Sequence, residues 1–178
     1  IDESSPLPHR KTEAVNVHIY QLRTTQTLPI DIDTAWAFFS DPRNLHKITP
    51  PDMDFVVKSP VPSRIHTGLF ISYQLRVPPG FPLRWWTEIK HVEAPLRFVD
   101  EQRAGPYRLW YHEHRFTATD EGVGIEDIVH YALPFGVLGR LAHWLFVRQQ
   151  LRQIFSFRRQ VLANHFPSEH TILATATA

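Results

Sequence analysis

The chain has 178 residues, with 19 Lys plus Arg against 18 Asp plus Glu for a net charge of +1, and no cysteine. That length is one domain's worth and suffices for a buried core. The near-neutral balance speaks against a dedicated nucleic-acid binder, and the missing cysteines exclude disulfides, thiolate zinc sites and cysteine nucleophiles. No run of about 18 apolar residues is present, so no transmembrane segment is expected. No secretory signal is legible either, and cytoplasm is the default expectation for a chain that starts here at Ile1.

Residues 1–14 carry Pro6, Pro8 and mixed charges without a period, and are expected to form a flexible arm. From 15 to 28 the pattern turns to alternation. Val15, Val17 and Ile19, then Tyr20 and Leu22, predict one long strand with a change of phase inside it. Asp33 is read as the N-cap of a short helix over 34–39, with Trp36 and Phe39 turned to the core. Asp41-Pro42 opens a second short helix through Leu45 and Ile48, stopped by Thr49-Pro50-Pro51.

Strands are predicted over 53–58, 67–77, 83–92, 98–103, 107–119 and 123–133. Their separators are turn sequences such as Pro78-Pro79-Gly80, Glu93-Ala94-Pro95, Gly105-Pro106 and Asp120-Glu121-Gly122. The stretch 134–166 then reads as a long amphipathic helix. Its apolar rows include Leu138, Leu141, Leu145, Leu151, Phe155 and Leu162, broadened by Trp144, Ile154, Phe157 and Val161. Arg140, Arg148, Arg152, Arg158 and Arg159 lie on the same stretch, which holds no Asp or Glu.

This order predicts an α+β fold. A curved antiparallel sheet of about seven strands wraps around a long C-terminal helix, with two short helices after the first strand. A single domain over 15–166 is expected, followed by a flexible tail over 167–178. A wedge between sheet and helix is the natural place for a ligand cavity.

The stretches Asp41-Pro42-Arg43-Asn44-Leu45, Ile48-Thr49-Pro50-Pro51, Trp85-Trp86-Thr87-Glu88-Ile89 and Phe98-Val99-Asp100-Glu101-Gln102 carry a family resemblance. So do Gly105-Pro106-Tyr107, Trp110 to His114, and Tyr131-Ala132-Leu133-Pro134-Phe135-Gly136. On these the chain resembles the START-like, or Bet v 1-like, SRPBCC superfamily, and within it the bacterial polyketide cyclase/dehydrase-like, ligand-binding branch. The resemblance implies the helix-grip fold and spans roughly residues 17–163. It implies no particular activity, because that superfamily includes lipid and hormone binders, quinone-binding proteins, aromatase/cyclases and protein-protein modules.

Simple alternation puts Trp110, His112, His114 and Phe116 on one side of their strand and Leu109, Tyr111, Glu113 and Arg115 on the other. Trp110, His112 and His114, with Trp86, Glu88, Asp127 and Tyr131 as neighbours, are the candidate ligand-binding residues. Arg148, close to the apolar row, is the candidate charged anchor. A His beside a carboxylate either positions a hydroxyl or carbonyl, or moves a proton on a polyketide-like substrate. The plain alternative is a set of histidines that only satisfy local hydrogen bonds or sit on a rim.

His112-Glu113-His114 also has strand spacing for a metal, but no HExxH motif accompanies it and no third ligand is legible. Neither a metal nor a cofactor is expected. The leading expectation is binding of a small apolar, aromatic or lipid-like molecule. A cyclase or dehydratase is the enzymatic alternative. A non-catalytic adaptor, touching protein or an acidic lipid surface through the arginine-rich helix, is the third.

Overall fold

The computed structural model describes residues 17–77 and 80–167. The predicted arm, the start of the first strand at 15–16, the Pro78-Pro79 pair and the tail from 168 onward lie outside the described residues.

Strand β1 (Tyr20–Leu28) leads into helix α1 (Ile32–Phe39). The cap of α1 is Asp31, not Asp33: its carboxylate accepts from Thr34 N and Thr34 Oγ1, both at 2.7 Å. Asp33 falls in the first turn instead, where a negative charge still suits the helix dipole. Asp41 caps the next element as predicted, accepting from Arg43 N at 3.0 Å, but Pro42–Ile48 winds as a 3-10 helix. A single 3-10 turn, Pro51–Met53, follows.

Six more strands complete the sheet: β2 (Val56–Val57), β3 (Phe70–Val77), β4 (Phe81–Glu93), β5 (Arg97–Ala104), β6 (Leu109–Thr119) and β7 (Gly122–Ala132). Their order is β1-β7-β6-β5-β4-β3-β2, antiparallel throughout. The chain therefore returns its last strand to its first, with Tyr20 opposite Tyr131 and Leu28 opposite Val123. Register shifts between Trp86 and Thr87 and between Lys90 and Glu93 break the β4–β5 ladder, and such bulges bend and twist a sheet.

The last helix runs as α2 (Gly136–Ala142), a π-helical segment (His143–Val147) and α3 (Arg148–His165). Leu151, Phe155, Arg158 and Leu162 form the inward row of α3. An unbroken α-helix would continue that row backward through Arg148, Trp144 and Leu141. The π segment inserts extra residues into the turn, so the row continues through half-buried Val147, then His143 and Gly139. This corrects the expected apolar stripe. Leu151, Phe155 and Leu162 are buried, whereas Leu138, Leu141, Trp144 and Leu145 are exposed.

His143 stacks on Tyr20 with ring centroids 3.5 Å apart, and its Nε2 lies 2.8 Å from Tyr131 Oη. Burial and the nearby Arg148 charge hold its pKa below the ordinary histidine value, so the neutral ring accepts from the phenol. Together the elements make the curved sheet gripping a long helix that the sequence predicted. Two core clusters fill it: one around Trp36, Phe98, Phe116 and Leu162, the other around Trp110, Tyr131, Leu151 and Phe155.

Gly139 lets the chain turn into α2 at close quarters, because a Cβ there would lie 2.1 Å from the Pro134 carbonyl oxygen. Gly139→Ala is expected to cost about 1–3 kcal/mol in urea unfolding. Gly124→Ala, whose added methyl meets nothing closer than 3.6 Å, is the control and should stay within about 0.5 kcal/mol. Equal midpoints for the two variants would refute the steric account.

Candidate functional site

Between the concave face of the sheet and α3 lies a cavity of about 200 Å³. Its phase is consistent along each strand. Leu83, Trp85, Thr87 and Ile89 of β4, Phe98 and Asp100 of β5, and Trp110, His112 and His114 of β6 face it, with Leu151, Ile154, Phe155 and Arg158 from α3. The wall is mostly aromatic and aliphatic. Asp41, Asn44, Thr49 and Gln150 add polar groups to its lining, and the buried titratable ones gather in one place.

There, two imidazoles are sandwiched between two carboxylates. Asp100 Oδ2 lies 3.1 Å from His112 Nδ1 and 2.9 Å from His114 Nε2. On the other side, Asp127 Oδ1 lies 2.9 Å from both His112 Nε2 and His114 Nδ1. The His112 contact is a hydrogen bond, whereas His114 Nδ1 is out of line and has no hydrogen-bond partner among the described residues. The two rings have centroids 3.8 Å apart, and Phe98 stacks on the outer side of His114 at 4.2 Å.

Each carboxylate is itself held. Trp110 Nε1 donates to Asp100 Oδ1 at 3.2 Å, and Arg158 Nη1 reaches Asp127 Oδ1 at 3.5 Å. Arg158 also packs over the Phe155 ring at 4.9 Å, and its buried Nε has no hydrogen-bond partner among the described residues.

The electrostatics follow from this arrangement. Burial alone would raise the pKa of Asp100 and Asp127, but the neighbouring imidazoles outweigh it, with Arg158 adding to the effect at Asp127. Both carboxyls are held well below the usual carboxylate range. For His112 burial works against the charged ring, yet Asp100 and Asp127 prevail and its pKa is raised. Burial, aided by the Asp100 charge, pushes the Tyr73 phenol up, so this cavity residue presents a neutral hydroxyl.

The candidate residues read from the sequence divide by position. Trp110, His112 and His114 meet at the cavity, and Asp127 stands behind the two histidines. Tyr131 is buried on the same face but its hydroxyl is engaged by His143. Trp86 and Glu88 lie on the outer face, one residue out of phase with Trp85 and Thr87. Trp86 is half exposed, and Glu88 pairs with Arg103 at 3.3 Å and Lys90 at 3.9 Å. Arg148 is exposed because the π segment rotates it off the inward row, and Arg158 is the arginine that reaches inward.

Asp100 and Arg158 are absent from the sequence-derived set, although both leave a signal. Asp100 has the parity of core-facing Phe98 and stands directly opposite His112. Arg158 occupies the apolar row between Phe155 and Leu162.

Solved structures of similar fold include protein Ms6760 from Mycobacterium smegmatis, with a TM-score of 0.59 and 18% identity, covering 89% of this chain and 92% of that one. Protein CV1439 from Chromobacterium violaceum aligns with a TM-score of 0.65 and 12% identity, over 84% and 99% of the two chains. TTHA0849 from Thermus thermophilus gives 0.61 and 15%, over 82% and 99%. All three likenesses are of fold, and they match the helix-grip architecture. No protein-family model matches the chain, and no curated protein does.

Replacing Arg158 by Met removes a buried partner of Asp127 and is expected to cost about 1–3 kcal/mol in urea unfolding. Arg152→Met, on the exposed face of the same helix, should stay within about 0.5 kcal/mol. If both variants unfold at the same midpoint, Arg158 is not supporting the cluster.

Proposed function

We propose that the protein binds a small, largely apolar molecule carrying one oxygen-bearing polar group in the cavity between the sheet and α3. The observation that carries this is the wall itself: it is predominantly aromatic and aliphatic, and Asp100, His112, His114 and Arg158 form its one buried charged cluster among the described residues. Such a division, apolar body and few convergent polar groups, is how ligand sites fix orientation. An apolar cavity of about 150 Å³ accommodates benzene, so this one suits a substituted single ring or a short alkyl chain.

Native mass spectrometry of gently purified protein, followed by identification of what denaturation releases, tests the reading. A stoichiometric small molecule is expected, and it should be lost from Ile154→Trp, which fills the cavity from α3. Retention of the molecule in that variant would place it elsewhere. No released mass, together with no thermal stabilisation by simple phenols, ketones and short carboxylic acids, would remove the basis for the proposal.

A second reading, an anionic membrane surface as partner, draws on the exposed start of the long helix. Phe135, Val137, Leu138, Trp144 and Phe146 each expose more than two-thirds of their surface, and Leu141 and Leu145 about half. An apolar patch of that extent marks a contact surface. Arg140, Arg148 and Arg152 are exposed around it, none with an ion-pair partner among the described residues, and residues 136–165 carry no acid.

The strand register places the start of α2, the turn at Pro106 and the start of β4 with exposed Phe81 at the same end of the sheet. Leu83, Pro106 and Tyr107 line the cavity from that end. Apolar insertion beside arginines fits a bilayer rich in anionic lipid, at about 1 kcal/mol per arginine near the surface. No described helix is long and apolar enough to cross a membrane, so the contact is superficial.

The protein is expected to co-sediment with phosphatidylglycerol vesicles, less so at high salt, and weakly with phosphatidylcholine. Trp144→Glu and Arg140→Glu should each weaken sedimentation several-fold. A solution dimer that Trp144→Glu dissolves, with no vesicle binding by the parent protein, would assign the face to a second copy instead.

A further inference from the structure

We propose that Asp100, His112 and His114 form a site for one divalent first-row metal ion, Zn²⁺ or Fe²⁺ by donor type, with its remaining coordination positions open to the cavity. The three ligand atoms lie within 4.8 Å of one another. His112 Nδ1 and His114 Nε2 stand 3.1 and 2.9 Å from the same oxygen, Asp100 Oδ2. Ligands of a tetrahedral ion at ~2.0–2.1 Å are separated by ~3.3 Å. The two distances to Asp100 Oδ2 thus fall within a few tenths of an ångström of that separation, and the nitrogens lie within 4.8 Å of each other.

The hydrogen bonds leave the cluster incomplete. His112 Nε2 bonds Asp127 Oδ1 and His114 Nε2 bonds Asp100 Oδ2, both at 2.9 Å, while His114 Nδ1 is out of line with Asp127 and has no hydrogen-bond partner among the described residues. A neutral ring carries one N–H and leaves its other nitrogen as an acceptor. Two imidazole nitrogens and a carboxylate oxygen thus gather at one place, a donor set that one cation binds together.

The surroundings are those a metal site requires. Metal-binding histidines characteristically turn their far nitrogen to a carboxylate that fixes tautomer and ring orientation. Asp127 stands there for His112, within 2.9 Å of His114 Nδ1 as well though out of line for a hydrogen bond, and Arg158 holds Asp127 in turn. Asp100 directs its second oxygen to Trp110 Nε1 and keeps 20% of its side chain exposed, toward the cavity it lines. Two imidazoles and a carboxylate with no thiolate suit Zn²⁺ or Fe²⁺, and three protein ligands leave positions for an exogenous one.

Charge then narrows the ligand class, a step that rests on the cavity reading above. Asp100, Asp127 and Arg158 sum to −1 with neutral rings, so a dication brings the site to +1. One anionic oxygen, as a phenolate, enolate or carboxylate on an apolar frame, neutralises it.

The test uses the full chain, stripped with a chelator and titrated with Co²⁺ as the spectroscopic probe and Zn²⁺ as competitor. One equivalent of Co²⁺ should produce the intense visible bands of a four- or five-coordinate ion, displaced by Zn²⁺, and Zn²⁺ should raise Tm. Asp100→Asn and His114→Gln should each weaken binding at least tenfold, whereas exposed His46→Gln and His66→Gln should leave it unchanged.

Where a ligand variant fails to fold, Trp110→Phe serves instead. It removes the hydrogen bond to Asp100, keeps an aromatic ring in the core with some loss of packing against Trp85 and Tyr107, and should weaken binding about tenfold. A weak, octahedral Co²⁺ spectrum, or tight binding that survives Asp100→Asn and His114→Gln, overturns the site. Metal bound without any released or stabilising small molecule supports the site and removes the cavity reading.

Discussion

The seating of α3 on the concave sheet is the contact on which the rest of this molecule depends. Leu162 joins the core beneath α1, while Leu151 and Phe155 join the second cluster with Trp110 and Tyr131. Burying such side chains is worth about 1.5–3 kcal/mol each, enough to set the position of the helix but not its rotation, since a greasy stripe tolerates slippage. Arg158 supplies the missing specificity. It sits in the same row, and the only carboxylate within its reach among the described residues is Asp127. A small rotation of α3 would strand both charges in a buried setting, a penalty that a sliding leucine does not incur.

That fixed rotation explains what happens one turn earlier. Tyr20, Tyr131 and Gly139 admit His143 where a continuous α-helix would have presented Trp144. The π segment reconciles the two ends of the helix. Its consequence is the exposure of Leu138, Leu141, Trp144 and Leu145, side chains with the composition of a core and the position of a surface. The helix is thus two pieces with different neighbours: α3 faces the cavity and the sheet, and α2 faces outward next to the cavity's end.

Much of this was legible in the chain. Strand count, the two short helices, the long final helix and the shared side of Trp110, His112 and His114 all follow from alternation, turn residues and caps. Local periodicity failed where two patterns competed. Trp85 and Trp86 are adjacent aromatics in a bulged strand, and the choice of Trp86 and Glu88 fell on the outer face, although Leu83, Trp85 and Ile89 mark the inner one against Arg84, Glu88 and Lys90. Arg148 and Arg158 are both compatible with an unbroken helical row, and only a π segment, invisible to a 3.6-residue period, separates them. Asp100 escapes notice because one acid in an apolar alternation looks like an interruption until its cross-strand neighbour is known to be His112.

The position of that acid is the strongest sign that the cavity serves a purpose. A core built for stability alone would fill these positions with Leu, Ile or Phe, since a buried ionic network is at best neutral against well-packed apolar side chains. Here two acids, two imidazoles and an arginine gather on an otherwise apolar wall, backed by core residues such as Phe98 and Val129. Among the described residues, their mutual contacts leave His114 Nδ1 and Arg158 Nε without hydrogen bonds. Departures from local packing rules collect at functional sites. An arrangement that is costly to bury, incompletely satisfied by itself and open to an apolar cavity is most simply explained by a bound partner that brings the missing charge.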